Sequence, residues 1–177
     1  FERIYYRSLR DKREDFLTVH DYIWRWDTDW FWCSKNVLAQ NPLVRRLVYG
    51  RKRLGSRTYT KLMRWNSRAG VTRKLERVLG LHSESVIQDV DIPLARAGEF
   101  LRFYAKAIGL WPQWVCPIGV AESRFALYPV KRGWYVNFGF WDVKRTRAAH
   151  TPGYFNRLIE DKVGGLDGIK SLYSDSY

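Results

Sequence analysis

The sequence predicts an α+β fold: a mostly antiparallel sheet with helices packed on one face and a basic helical insertion at about residues 37–80. Three observations predict it. Segments such as "ESVIQDVDIP" (84–93) and "GWYVNFGFW" (133–141) alternate apolar and polar residues and are rich in β-branched and aromatic side chains. Others, such as "LARAGEFLRFYAKAIG" (94–109), place apolar residues three and four apart. The order of these segments is strands, a helical insertion, strand, helix, three strands, helix, with no internal repeat and no Ser/Gly-rich linker.

Taken in order, "RIYYR" (3–7) reads as a strand. "DYIWRWD" and "DWFWCSK" each alternate so that Trp24 and Trp26, and likewise Trp30 and Trp32, share a face, and Asp27-Thr28-Asp29 supplies turn chemistry between them, so the expectation is a hairpin. In "NPLVRRLVYG", Asn41 is a cap, Pro42 suits a first helical turn and Gly50 closes the helix. A second helix is expected from about Ser56 to Leu79, with Leu62, Trp65, Ala69, Thr72, Leu75 and Leu79 in phase and Gly70 as its weak point. The strand at 84–93 stops at Pro93, and the helix that follows has Leu94, Ala97, Leu101, Tyr104 and Ile108 on one side and Gly109 past its end. "QWVCPIG", "RFALYPV" and "GWYVNFGFW" suit antiparallel strands. "TPGYFNRLIEDKVGG" suits a last helix capped by Thr151 with Pro152 in its first turn.

Composition narrows the function classes. At 177 residues and 46% hydrophobic, the chain has the material for one compact core. No uncharged apolar run approaches the roughly 20 residues a bilayer span needs, and the N-terminus lacks a signal peptide's apolar core. Cys33 and Cys116 match no metal or redox spacing and read as reduced, buried thiols, which points to a cytoplasmic setting. His20, His82 and His150 fall in three separate segments without ligand spacing, so no metal is expected. The glycine-rich "GGLDG" (164–168) follows a helix where a phosphate loop precedes one, and reads as a turn.

Charge is concentrated in one half. Residues 1–80 hold 19 Lys/Arg against 8 Asp/Glu, and residues 81–177 hold 12 against 10. Between Lys35 and Arg77 there are 13 basic residues and one acid, Glu76, an imbalance that calls for an anionic partner. Arg45, Arg46, Arg51, Lys52, Arg53, Arg57, Lys61 and Arg64, interleaved with Leu43, Val44, Leu47, Val48, Tyr49, Leu62, Met63 and Trp65, form the expected anion face. An anionic leaflet takes both kinds of side chain, which would make the protein peripheral at the inner membrane face. Nucleic acid is the weaker alternative, because no recognition motif accompanies the charge.

Several short motifs occur together in order: "DYIWRWDTDWFW" (21–32), "VIQDVDIP" (86–93), "WPQWVCPI" (111–118), "LYP" (127–129), "YVNFGFW" (135–141) and "KSLYSDSY" (170–177). In this set the chain resembles the cap or substrate domain of flavin-linked oxidoreductases of the vanillyl-alcohol-oxidase type, and within them the branch containing the delta-24 sterol reductases. The resemblance implies that residues 1–177 are a single cap domain whose sheet closes over the flavin of an FAD-binding domain lying upstream of Phe1. It implies FAD as cofactor, NADPH as a candidate electron donor, and hydride transfer between flavin and a hydrophobic, sterol- or lipid-like, or alcohol substrate. By position it selects Gln113, Cys116 and Asn137 as substrate-binding. It also selects Lys170, as a cation beside the flavin, and Tyr173, as a proton donor or relay, for catalysis. Related oxidases pair a His with the Lys, and "GIKSLY" lacks it, which leaves the proton donor open. The alternative reading is a non-enzymatic basic module that binds nucleic acid or anionic membrane.

Overall fold

A computed structural model describes residues 7–8, 11–30, 32–120, 130–131, 133–171 and 174. The chain divides into two compact units, residues 1–74 and 75–177.

The second unit carries the sheet. Strands β1 (His82–Pro93), β2 (Trp114–Val120), β3 (Gly133–Thr146) and β4 (Ile169–Lys170) pair in the order β2-β3-β1-β4, every pair antiparallel. β3 runs five residues past the sequence expectation because it matches β1 along its whole length, from His82 opposite Thr146 to Pro93 opposite Tyr135. Helices α6 (Leu94–Ala107) and α7 (Tyr154–Gly164) lie on one face. Period-two alternation decides which face: Val86, Val90 and Ile92 of β1 and Val136, Phe138 and Phe140 of β3 are buried with Phe100, Tyr104 and Ile108 beside α6 and Phe155, Ile159 and Val163 of α7. Phe100 meets Phe138 and Tyr104 meets Phe140, each pair with centroids 5.0 Å apart. The Tyr104 hydroxyl donates to Leu110 O at 3.0 Å, and burial foremost, with Asp142 behind it, holds its pKa far above the ordinary phenol value.

A buried polar network ties α7 to β1. Asn156 Nδ2 donates to Glu84 Oε1 at 2.7 Å and to Ser85 O at 2.9 Å, while its Oδ1 accepts from Gln88 Nε2 at 2.7 Å. The cap of α7 differs from the expectation: Gly153, at φ 77°, occupies the N-cap position, and Thr151 contributes its carbonyl to Tyr154 N instead of its hydroxyl. A residue with a Cβ is disfavoured in that left-handed conformation, so the chain uses glycine and forgoes a side-chain cap.

The first unit is helical and irregular. It holds α1 (Val19–Ile23), a 3-10 turn (Cys33–Val37), α2 (Pro42–Val44) running into a π-helical turn (Arg45–Tyr49), α3 (Gly50–Arg53) and α4 (Ser56–Ala69). The expected tryptophan hairpin is not formed. Trp30 and Trp32 take φ of 53° and 56°, a left-handed conformation no strand can contain. Asp29 is the reason: its carboxylate accepts from Trp32 N at 3.2 Å, from Ser34 Oγ and from Gln40 Nε2 at 3.3 Å, closing the backbone on itself. Burial raises the Asp29 pKa against the opposing pull of these hydrogen bonds and of Arg45. Trp30 and Trp32 are buried and Trp24 is exposed; Trp30 Nε1 donates to Leu54 O, and the Trp30 ring stacks on Tyr59 at 5.1 Å. Asn41 caps α2 as expected. Gly70, at φ 63°, splits the expected long helix into α4 and α5 (Val71–Val78). "RIYYR" up to Tyr6 and "RFALYPV" up to Pro129 lie outside the described residues.

Candidate functional site

The face of the sheet turned away from α6 and α7 carries the polar chemistry. The register sets Cys116 of β2 opposite Asn137 of β3, Asn137 opposite Asp91 of β1, and Asp91 opposite Ile169 of β4, so these four residues form one row across the sheet. Asn137 Nδ2 donates to Asp91 Oδ1 at 3.0 Å. Asp91 is buried and Asn137 half-buried. This hydrogen bond uses one of the amide's two N–H donors and fixes the side chain, leaving its carbonyl oxygen and second N–H to be offered elsewhere.

One row along, Trp114, Gly139 and Asp89 are in register. Gly139 sits in a central strand, where a side chain would ordinarily add packing. A Cβ there would run into Asp89 Oδ1 and lie 2.8 Å from the Trp141 ring, so glycine alone lets carboxylate and indole lie flat over β3. The result is a surface of two carboxylates, one oriented amide, a half-buried thiol and the Trp114 and Trp141 rings. At the entry to β2, Gln113 has both polar atoms of its amide buried, with no hydrogen-bond partner among the described residues. Such a group costs about 1–3 kcal/mol unless something pairs with it.

The structure thus brings Cys116 and Asn137 side by side and sets Gln113 at the start of the strand that carries Cys116. Lys170 is elsewhere. It pairs with Val90, whose side chain is in the core, and its Nζ lies 2.5 Å from Glu160 Oε1 on α7. The sheet separates this ammonium from the Asn137 row, and a side chain read from sequence as a loop cation is an ion-pair partner only 13% exposed. Tyr173 lies outside the described residues. Cys33 and Cys116 are each half-buried, more accessible than the buried pair expected. His20, His82 and His150 are exposed, and His150 stacks on Tyr154 at 4.4 Å.

Sequence reasoning missed Asp89, Asp91, Gly139 and Trp141. The signal was present in "VIQDVDIP": the valines and Ile92 are in phase with the core, which forces both aspartates onto the other face, where a sheet serving only as scaffold has no use for paired carboxylates.

The expected anion face is corrected at one position. Arg45 is 1% exposed, donating to Ala39 O at 3.1 Å and to Thr28 O at 2.9 Å. The π-helical turn points it inward, where it satisfies two carbonyls of the irregular tryptophan segment, so it cannot lie on a surface. Arg46, Arg51, Lys52, Arg53, Arg57, Lys61 and Arg64 are all exposed. Among the described residues, no helix is long and apolar enough to cross a membrane.

Fold and site together define an α+β protein whose sheet is covered by two helices and carries a polar, tryptophan-flanked row on its other face. Among known proteins, the chain is 28% identical over 98 residues to the Delta(24)-sterol reductase homologue of Caenorhabditis elegans, a match that covers 52% of this chain and 18% of that protein. No family model matches the chain, and no solved structure is significantly similar to it.

Proposed function

We propose that this chain is the substrate-covering part of an FAD-dependent oxidoreductase that transfers hydride between flavin and a hydrophobic, sterol- or lipid-like substrate, with NADPH as the electron donor. The observation that carries the reading is the Cys116–Asn137–Asp91 row on the sheet face away from the helices, in a chain distantly similar to a sterol reductase homologue. The remaining machinery, above all an FAD-binding domain, belongs to a longer protein.

The residues present fit one side of the cofactor. Asn137, held by Asp91, keeps a carbonyl oxygen and an N–H for a polar ring edge, and Trp114 and Trp141 supply apolar surface. A pyrophosphate needs backbone N–H groups at a glycine-rich turn that opens a helix, whereas Gly164–Gly168 here closes α7 and leads into β4. When bound, FAD supplies the hydride donor or acceptor. The chain's own residues do the rest: Asn137, held by Asp91, orients a polar substrate group by hydrogen bonding. Asp91 acts through Asn137 and is a positioning residue. The indoles at Trp114 and Trp141 exclude water from an apolar substrate.

This division predicts a simple contrast. The full-length protein containing this chain purifies yellow, with stoichiometric FAD and a flavin that NADPH bleaches anaerobically, whereas residues 1–177 alone are colourless. A colourless full-length protein that takes up no added FAD overturns the proposal. Stoichiometric FAD on residues 1–177 alone overturns the assignment of this chain as a cover.

A further inference from the structure

Residues 42–69 carry exposed cations and apolar side chains that neither the sheet nor its polar row accounts for. On α4, Arg57, Lys61, Arg64 and Arg68 are spaced at four, three and four residues and are all exposed. At 100° per residue they fall within an arc of about 60°. Trp65 borders this stripe and is 57% exposed, while Tyr59 on the other side stacks on Trp30 in the core of the unit. The preceding turns add Arg46, Arg51, Lys52 and Arg53, all exposed, and three aliphatic side chains, Leu43, Leu47 and Val48, at 69%, 79% and 56% exposure. No Asp or Glu occurs between Asp29 and Glu76, so this stretch supplies no carboxylate to neutralise its own cations.

We infer that this surface docks on an anionic lipid leaflet, with the arginines and lysines at the phosphate level and Leu43, Leu47, Val48 and Trp65 entering the acyl boundary. Charge complementarity calls for an anionic partner, and the exposed aliphatic side chains choose among anionic partners. A nucleic acid pairs its backbone with cations and stacks its bases on aromatic rings but gives leucine and valine little to bury against, whereas a leaflet takes all three. Each basic residue at such a surface strengthens partitioning about fivefold, within reach of about a Debye length. The inference stands on the charge and exposure of this unit alone and does not rest on the flavin reading.

The test is co-sedimentation of the full-length protein with vesicles of phosphatidylcholine containing phosphatidylserine, against vesicles of phosphatidylcholine alone. The expected result is binding to the anionic vesicles only, reversed by high salt. The charge reversal Arg57→Glu/Lys61→Glu/Arg64→Glu/Arg68→Glu is expected to weaken it by more than about a hundredfold. These side chains are solvent-exposed, so the variant keeps the parent melting temperature, which is measured alongside. Leu47→Ser with Trp65→Ser, which leaves every charge in place, is expected to weaken binding at least about tenfold. Binding unaffected by either variant, equal binding to both vesicle types, or binding to neither overturns the inference. So does binding to a single-stranded oligonucleotide that competes the protein off the anionic vesicles and survives the Leu47/Trp65 change.

Discussion

In the full-length protein, Asn137→Leu is expected to lower kcat/KM about 10²-fold while the protein retains its FAD. Losing one preorganised hydrogen-bonding group that faces the reacting substrate typically costs about 10²–10³ in rate. The same substitution removes the donor to Asp91, leaving a buried carboxylate oxygen unpaired at a cost of about 1–3 kcal/mol in stability. The two losses can be separated. Replacing both partners, Asn137→Leu with Asp91→Leu, removes the buried unpaired group together with its former donor, so thermal stability returns toward the parent while turnover does not. Parent kcat/KM in the single or double variant would show that the pair only braces β1 against β3. By contrast, Lys170→Met removes the partner of Glu160 on the helix side of the sheet, so its effect is expected in melting temperature before turnover.

Asn156→Leu is expected to cost about 3 kcal/mol: the amide pairs with three groups, of which Gln88 Nε2 keeps only a long 3.4 Å contact to Asn156 O and Glu84 Oε1 keeps Asn156 N. Leucine fills a similar volume but leaves Gln88 Nε2, Glu84 Oε1 and Ser85 O without the amide that now pairs with them. Gln88 is fully buried, so water cannot take over. For a unit of this size the midpoint falls by about 4–8 °C per kcal/mol, so a loss of more than about 12 °C is expected. Thermal unfolding followed by near-ultraviolet circular dichroism measures it. A shift of less than about 4 °C, corresponding to under 1 kcal/mol, would mean that α7 is held to β1 by its apolar contacts alone.

Much of the sheet unit was legible because its elements obey one period each. β1 and β3 alternate cleanly, α6 repeats at three and four, and Pro93 and Gly109 mark the ends of their elements as their backbone chemistry dictates. The first unit was less so. The alternation of four tryptophans reads as a hairpin, but side-chain hydrogen bonds from Asp29 over three to eleven residues outcompete a strand ladder, and such bonds leave no periodic trace. Arg45 was misplaced for a related reason: a π-helical turn shifts the phase of everything within it, so helical spacing points the wrong way. Of the candidate site, Cys116 and Asn137 could be named from sequence, but their adjacency and the partnership with Asp91 depend on register across β2, β3 and β1, which no single segment encodes. Lys170 shows the converse. A two-residue strand is too short to display a phase, and one residue of phase decides on which side of the sheet the ammonium stands.

The central claim, that the row containing Cys116 lies under a bound flavin, is tested most directly by the reactivity of that thiol. Cys116 is a half-buried free thiol on the proposed covered face, and Cys33, in the other unit, is an internal reference. The full-length protein is alkylated with a small maleimide in its FAD-bound form and again after the FAD has been removed, and the rate at each cysteine is read by peptide mass spectrometry. The account predicts that bound FAD slows alkylation of Cys116 at least about tenfold, the protection expected when a face is withdrawn from solvent, and leaves Cys33 unchanged. Equal Cys116 rates with and without FAD would contradict it.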